Sequence, residues 1–151
     1  RVIGYDAHKD APNRSFPDFI EFVSLDELIE RSDVISIHSS LETSRNLINY
    51  ERLKKMKKTA FLVNVSRGGI IDENDLCRAL SEKQIAGAAL DVVAKEPLEK
   101  DNPLFGFDNV IITPHMAWYS EQAAREMKRK VAEEAVRFMR EEPVRYPVNH
   151  V

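Results

Sequence analysis

The apolar residues of this chain fall in short, β-branched runs separated by polar stretches with helical spacing. The runs are Val2–Tyr5, Val34–Ile37, Ala60–Val65, Ala86–Val93 and Val110–Ile112, with Phe19–Val23 as a candidate edge strand. Runs that are apolar at successive positions predict strands buried on both faces. The stretches between them predict helices. Ser24–Arg31 opens with Ser24 and Glu27 at capping-box spacing and places Leu25, Leu28 and Ile29 on one face. Tyr50–Lys57 turns Leu53 and Met56 inward, and Asp72–Glu82 has Asp72 as N-cap with Leu76, Ala79 and Leu80 inward. Such strand–helix alternation predicts an α/β fold, a parallel sheet covered by helices.

The tail differs. Glu121–Arg140 reads as one long helix capped by Ser120, with Ala124, Met127, Val131, Ala135 and Phe138 as its apolar stripe and Pro143 as its stop. A helix of that length needs a partner beyond one sheet face. At the other end, Arg1 opens directly into a strand, with no strand and glycine-rich loop before it.

Composition narrows the function classes. Of 151 residues, 43% are apolar and 31% charged, which is ordinary for a folded globular chain and argues against disorder. A net charge of −3 argues against direct nucleic-acid binding, which calls for a basic surplus. No run reaches the ~18 apolar residues of a membrane span, and no secretory leader is visible, so the expectation is a cytoplasmic protein without a membrane partner. A single cysteine, Cys77, excludes an internal disulfide and a cysteine-cage metal site. The histidines show no metal-ligand spacing, so no metal is expected; His8 and His150 read as exposed bystanders. Cys77, in a helix beside Leu76 and Leu80, reads as a small buried apolar residue rather than a nucleophile. Ser66 has no nucleophile elbow around it, and the Lys54–Lys58 cluster reads as a solvated helix face.

In open α/β sheets, ligands bind at the carboxyl ends of the strands. Asp6 follows the first strand; His38, Ser39 and Ser40 follow Val34–Ile37; Ser66, Arg67, Gly68 and Gly69 follow Ala60–Val65. Asp91 lies near the end of Ala86–Val93, ahead of Glu96 and Pro97, and Thr113, Pro114, His115 and Trp118 follow Val110–Ile112. One edge thus gathers Asp6, Arg67, Asp91, Glu96 and His115. A carboxylate at the position of Asp6 can accept from adenosine ribose hydroxyls and repel a 2′-phosphate, which favours NAD over NADP; Lys9 nearby leaves that choice open. Arg67, before two glycines, can grip a carboxylate with two parallel hydrogen bonds. His115 suits general acid–base work, and a carboxylate such as Glu96 would favour its protonated form and fix its orientation. Taken singly, each has a plainer reading: a turn aspartate, a surface arginine, a core histidine, a surface glutamate.

With those residues in view, the chain resembles the D-2-hydroxyacid dehydrogenase family. The resemblance rests on RVIGYD (1–6), SLDELIERSDVISI (24–37), FLVNVSRGGIIDEND (61–75), IAGAALDVVAKEP (85–97) and NVIITPHMAW (109–118), which together span nearly the whole chain. TPHMAWYSE (113–121) is most similar to the branch containing the C-terminal binding proteins, dehydrogenase-fold corepressors. The resemblance implies a Rossmann-type fold lacking its first βα unit. Residues 1–118 would form an incomplete NAD-binding domain, and residues 119–151 a helix and tail packing toward a substrate domain outside this chain. It implies Arg67, Glu96 and His115 as catalytic residues, with Arg67 on the substrate carboxylate and His115 trading a proton with the C2 oxygen. Asp6, His38, Val65, Ser66 and Asp91 would line NAD, and Trp118 the substrate pocket. It further implies a small 2-hydroxy or 2-oxo acid substrate, a homodimer in the full-length protein, and little NAD binding or turnover by these 151 residues alone. Ser39–Ser40 depart from the proline many relatives carry after the histidine. The alternative kept open is an NAD-sensing binding module in place of an enzyme.

Overall fold

The structure, a computed structural model, describes residues 1–12 and 14–147. His150 therefore lies outside the described residues. The chain divides into two compact units, Arg1–His115 and the segment from Met116 onward.

The first unit contains two parallel sheets. Strands β1 (Val2–Gly4) and β2 (Ile20–Phe22) pair with each other, so the candidate edge strand is present. Strands β3 (Val34–Ile37), β4 (Phe61–Asn64), β5 (Gly87–Leu90) and β6 (Val110–Ile112) form a second sheet in that order, every pair parallel. Parallel neighbours need a crossover, and the polar stretches supply it as helices. These are α1 (Leu25–Arg31), the short α2 (Leu41–Ser44), α3 (Tyr50–Leu53) and α4 (Glu73–Ser81).

Local chemistry starts α1 and α4 where the sequence placed them, whereas α2 was not foreseen and has no side-chain cap. The Ser24 hydroxyl accepts from the Glu27 amide, and the Glu27 carboxylate accepts from the Ser24 amide at 3.0 Å, which completes the capping box. Asp72 caps α4 by accepting from the Asp75 amide at 3.1 Å. The Asp75 carboxylate in turn accepts from the Tyr50 amide at 2.8 Å and ties α4 to α3. Helix α3 is shorter than the predicted Tyr50–Lys57, because the chain turns after Leu53; Leu53 and Met56 are nonetheless both buried.

The register sorts the four-stranded sheet into two faces. Ile35, Leu62, Ala88 and Val110 form one cross-strand row, and Ile37, Asn64, Leu90 and Ile112 the next. These rows pack with Ile29 of α1, Leu53 of α3, and Leu76, Ala79 and Leu80 of α4 in the apolar core. The opposite face carries Val34, Ser36, Phe61, Val63, Ala89 and Ile111, and here the expectation of strands buried on both faces is corrected. Val34, Phe61 and Ile111 are 59%, 49% and 66% exposed. The side-chain period of two sends alternate residues to opposite faces, and among the described residues of this unit only one face carries a helical layer.

The second unit is dominated by α5 (Glu121–Met139), capped by the Ser120 hydroxyl, which accepts from the Ala123 amide at 3.0 Å. None of its residues is buried, and the stripe residues Met127, Val131 and Phe138 are exposed. Ion pairs Arg129–Glu126 and Arg129–Glu133 bind successive turns.

Candidate active site

Three loops at the carboxyl ends of β4, β5 and β6 build the site, and each is held by hydrogen bonds from side chains as well as from the backbone. After β4, Asn64 is wholly buried. Its side-chain oxygen accepts from the Ser66 amide at 3.1 Å, and its amide nitrogen donates to the Arg67 carbonyl at 2.9 Å. The Ser66 hydroxyl donates to the Ile37 carbonyl at 2.7 Å, which fastens this turn to β3. Arg67 itself points outward; its Nη1 donates to the Ser66 carbonyl at 2.7 Å.

Gly68 comes next and is buried. A Cβ built there would stand 1.9 Å from the Val93 carbonyl carbon and 2.4 Å from the Ala94 nitrogen. The arginine turn therefore lies directly against the peptide linking Val93 to Ala94, an approach open only to glycine.

After β5, Asp91 is 6% exposed. Its Oδ1 accepts from the Thr113 hydroxyl at 2.5 Å, and its carbonyl accepts from the His115 amide at 2.9 Å. His115 adopts φ 52°, in the left-handed region, where a non-glycine residue costs roughly 1–3 kcal/mol. The paired acceptance of its N–H by the Asp91 and Thr113 carbonyls holds it there. The result sets the His115 Nδ1 2.7 Å from Glu96 Oε2, while Glu96 Oε1 accepts from the Val93 amide at 3.3 Å. The hydrogen bond with His115, aided by the Val93 amide and opposed by partial burial, holds the Glu96 carboxyl below its ordinary range. Glu96 is therefore charged at neutral pH, and this contribution is lost only as pH falls through its lowered pKa.

Asp91, Glu96 and His115 share one cavity of about 530 Å³, walled by Val93, Pro97, Leu98, Phe105, Ile112, Thr113 and Pro114. Four polar residues, these three and Thr113, converging on a largely apolar cavity is the usual form of a small-molecule site. Arg67 is not among its lining residues. Of the cofactor candidates, Asp6 follows β1, with Oδ1 accepting from the His8 amide at 2.7 Å and Oδ2 paired with Arg14. His38 follows β3 and lies 2.8 Å through Nε2 from the Ser36 hydroxyl. Val65 is half-buried in the arginine turn. Beside His38, the buried Ser39 hydroxyl has no hydrogen-bond partner among the described residues. Trp118 belongs to the second unit, is exposed, and meets the Tyr119 ring edge-to-face at 5.5 Å. His8 is exposed, and Cys77 is half-buried with its thiol pushed up by that burial.

Sequence reasoning gave no role to four contributors. Asn64 had a signal, an amide at the end of an otherwise apolar run. Thr113 had a weaker one, a hydroxyl at a strand end. Leu98 and Phe105 had none, since they reach the cavity from a turn-rich segment without periodicity.

Residues 1–117 match the D-isomer specific 2-hydroxyacid dehydrogenase, NAD binding domain family. The chain belongs to that family. It is 44% identical over 138 residues to a glyoxylate reductase of Thermofilum pendens, covering 91% of this chain and 40% of that protein. It is 40% identical to a hydroxypyruvate reductase of Blautia hydrogenotrophica, covering 100% of this chain and 45% of that protein. Among solved structures, the NAD-complexed D-isomer specific 2-hydroxyacid dehydrogenase from Lactobacillus delbrueckii ssp. bulgaricus matches with a TM-score of 0.87 at 32% identity, over 99% of this chain and 49% of that one. D-lactate dehydrogenase with NAD+ from Lactobacillus jensenii matches with a TM-score of 0.86 at 26% identity, over 99% and 48%. The Rossmann-like, NAD-binding character of the fold follows. The chain spans less than half the length of these relatives.

Proposed function

We propose that the protein to which this chain belongs is an NAD-dependent dehydrogenase interconverting small D-2-hydroxy acids and 2-oxo acids, with Arg67, Glu96 and His115 as its catalytic residues. The observation that carries this reading is the His115–Glu96 pair, 2.7 Å apart, on an apolar-walled cavity at the carboxyl edge of the sheet.

The residues after β1, in the two-stranded sheet, and after β3, in the four-stranded one, fit a dinucleotide. Asp6 presents a partly exposed carboxylate after β1, and the unpartnered Ser39 hydroxyl after β3 is a polar group that a bound ligand would satisfy. Asp6, His38, Val65, Ser66 and Asp91 would hold NAD, which supplies or accepts the hydride at C2 of the acid. Arg67 grips the carboxylate of the 2-oxo acid through its planar guanidinium and orients it. Glu96 fixes the tautomer and orientation of His115 through Nδ1, so that Nε2 is the nitrogen that serves the substrate oxygen. In reduction, protonated His115 gives its proton to the carbonyl oxygen; in oxidation, neutral His115 removes the hydroxyl proton. Arg67 and His115 together stabilise the charge that develops on that oxygen. Trp118 borders the substrate pocket in this reading. Residues 1–118 belong to the cofactor domain, the tail from 119 packs toward a substrate domain, and the full-length protein works as a cytoplasmic homodimer.

The test is NADH consumption by the full-length protein with a panel of 2-oxo acids, including glyoxylate, hydroxypyruvate and pyruvate. His115→Gln is expected to lower turnover by ~10²-fold or more while NADH affinity stays within a few-fold. Unchanged turnover in that variant would overturn the assignment. NADH binding without turnover of any acid would favour the NAD-sensing binding module.

A further inference from the structure

The His115–Glu96 pair leans on residues, Gly68 and Glu73, that do not line the cavity the pair shares. Glu96 reaches His115 from the loop after β5, which carries the peptide between Val93 and Ala94. That peptide is tied to Glu96 directly, because the Val93 amide donates to Glu96 Oε1 at 3.3 Å. The backbone of Gly68 lies against the peptide, so that any Cβ there would sit 1.9 Å from the Val93 carbonyl carbon and 2.0 Å from its oxygen. The Ala94 amide of the same peptide donates to the Glu73 carboxylate on the first turn of α4. Glu73 rides on a helix whose Leu76, Ala79 and Leu80 are locked in the core, so it is a fixed anchor.

We propose that Gly68 and Glu73 clamp the Val93–Ala94 peptide, and that this clamp is the positioning device that holds Glu96 against His115. The proposal rests on the functional reading above for its catalytic meaning, but its geometry does not. Gly68 is therefore required for more than the turn that carries Arg67. It lets the arginine turn and the glutamate loop touch backbone to backbone, so the substrate-binding and acid–base elements share one rigid contact.

A side chain at Gly68 forces the peptide from 1.9 Å to beyond 3.0 Å from the new Cβ, because the obstructing atoms are backbone rather than a flexible side-chain tip. The displaced loop carries Glu96 with it. The hydrogen bond between His115 Nδ1 and Glu96 Oε2 is then stretched or lost.

The experiment follows the His115 Nδ1–H proton by NMR in the full-length protein, whose downfield position reports the hydrogen bond to Glu96, alongside kcat and KM for 2-oxo-acid reduction. Glu96→Ala is the reference and is expected to abolish the downfield signal. Gly68→Ala is expected to lose at least half of that downfield displacement, and to lower kcat no further in the Glu96→Ala background. Glu73→Ala loosens the clamp without inserting an atom and is expected to move the signal the same way, while Glu73→Gln, which keeps an acceptor, restores it. The Glu73 pair decides the question if Gly68→Ala does not fold. An unmoved Nδ1–H signal in Gly68→Ala or Glu73→Ala, or an effect on kcat that adds in full to that of Glu96→Ala, would overturn the clamp. Shifted signals in a protein that reduces no 2-oxo acid would support the clamp and count against the dehydrogenase reading; normal reduction with unmoved signals would do the reverse.

Discussion

On one face of the four-stranded sheet, Ile35 and Leu62 lie side by side beneath α1, α3 and α4 and are 5% and 0% exposed; on the other, Val34 and Ile111 are 59% and 66% exposed. The same strands make both faces, with the same spacing and a similar aliphatic content. The buried face even includes the polar Asn64 at 0% exposure, while the open face is largely apolar. Burial here is a property of what lies over a residue, not of the residue. Parallel sheets are ordinarily covered on both sides; among the described residues of this unit the helical layer lies on one.

That contrast can be broken or sharpened by substitution. The largest effect is expected at Leu62→Ala on the covered face, which leaves a cavity in a packed core and should cost about 2–5 kcal/mol in chemical denaturation. A cost below about 1 kcal/mol would mean the helical layer is loose and the two faces differ little. Asn64→Leu comes next. It suits the apolar surroundings but strips partners from the Ser66 amide and the Arg67 carbonyl, and the expected loss is about 1–3 kcal/mol in the same assay. A neutral or stabilising result would show that the arginine turn does not depend on Asn64. The smallest effect is expected at Ile111→Thr on the open face, within about 0.5 kcal/mol in this chain. A substantial loss there would reveal that the face is covered in solution.

The site separates along similar lines. His115, Glu96 and Arg67 were readable because each is a chemically distinctive side chain just after an apolar run, and strand ends converge on one edge in this topology. The pairing of Glu96 with His115 was readable only as a possibility, since 19 residues separate them and nothing local dictates that they meet. Arg67 shows the limit in the other direction, because it sits on the expected edge yet outside the cavity that the other two share. The positive φ of His115, the Asn64 anchor and the close approach of Gly68 to Val93 depend on contacts between loops far apart in sequence.

By itself, the sequence determined the alternation of strands and helices, the caps at Ser24, Asp72 and Ser120, the inward faces of α1 and α4, and the residues able to do acid–base chemistry. Those features follow from local steric preference, hydrophobic period and side-chain pKa, all of which act within a few residues. Only the tertiary structure decided which sheet face is covered, that the arginine turn and the glutamate loop touch through Gly68, and that Glu96 closes on His115 at 2.7 Å. Those outcomes depend on how separate loops pack against one another, and packing at that scale is set by the relative placement of whole elements rather than by any stretch of sequence.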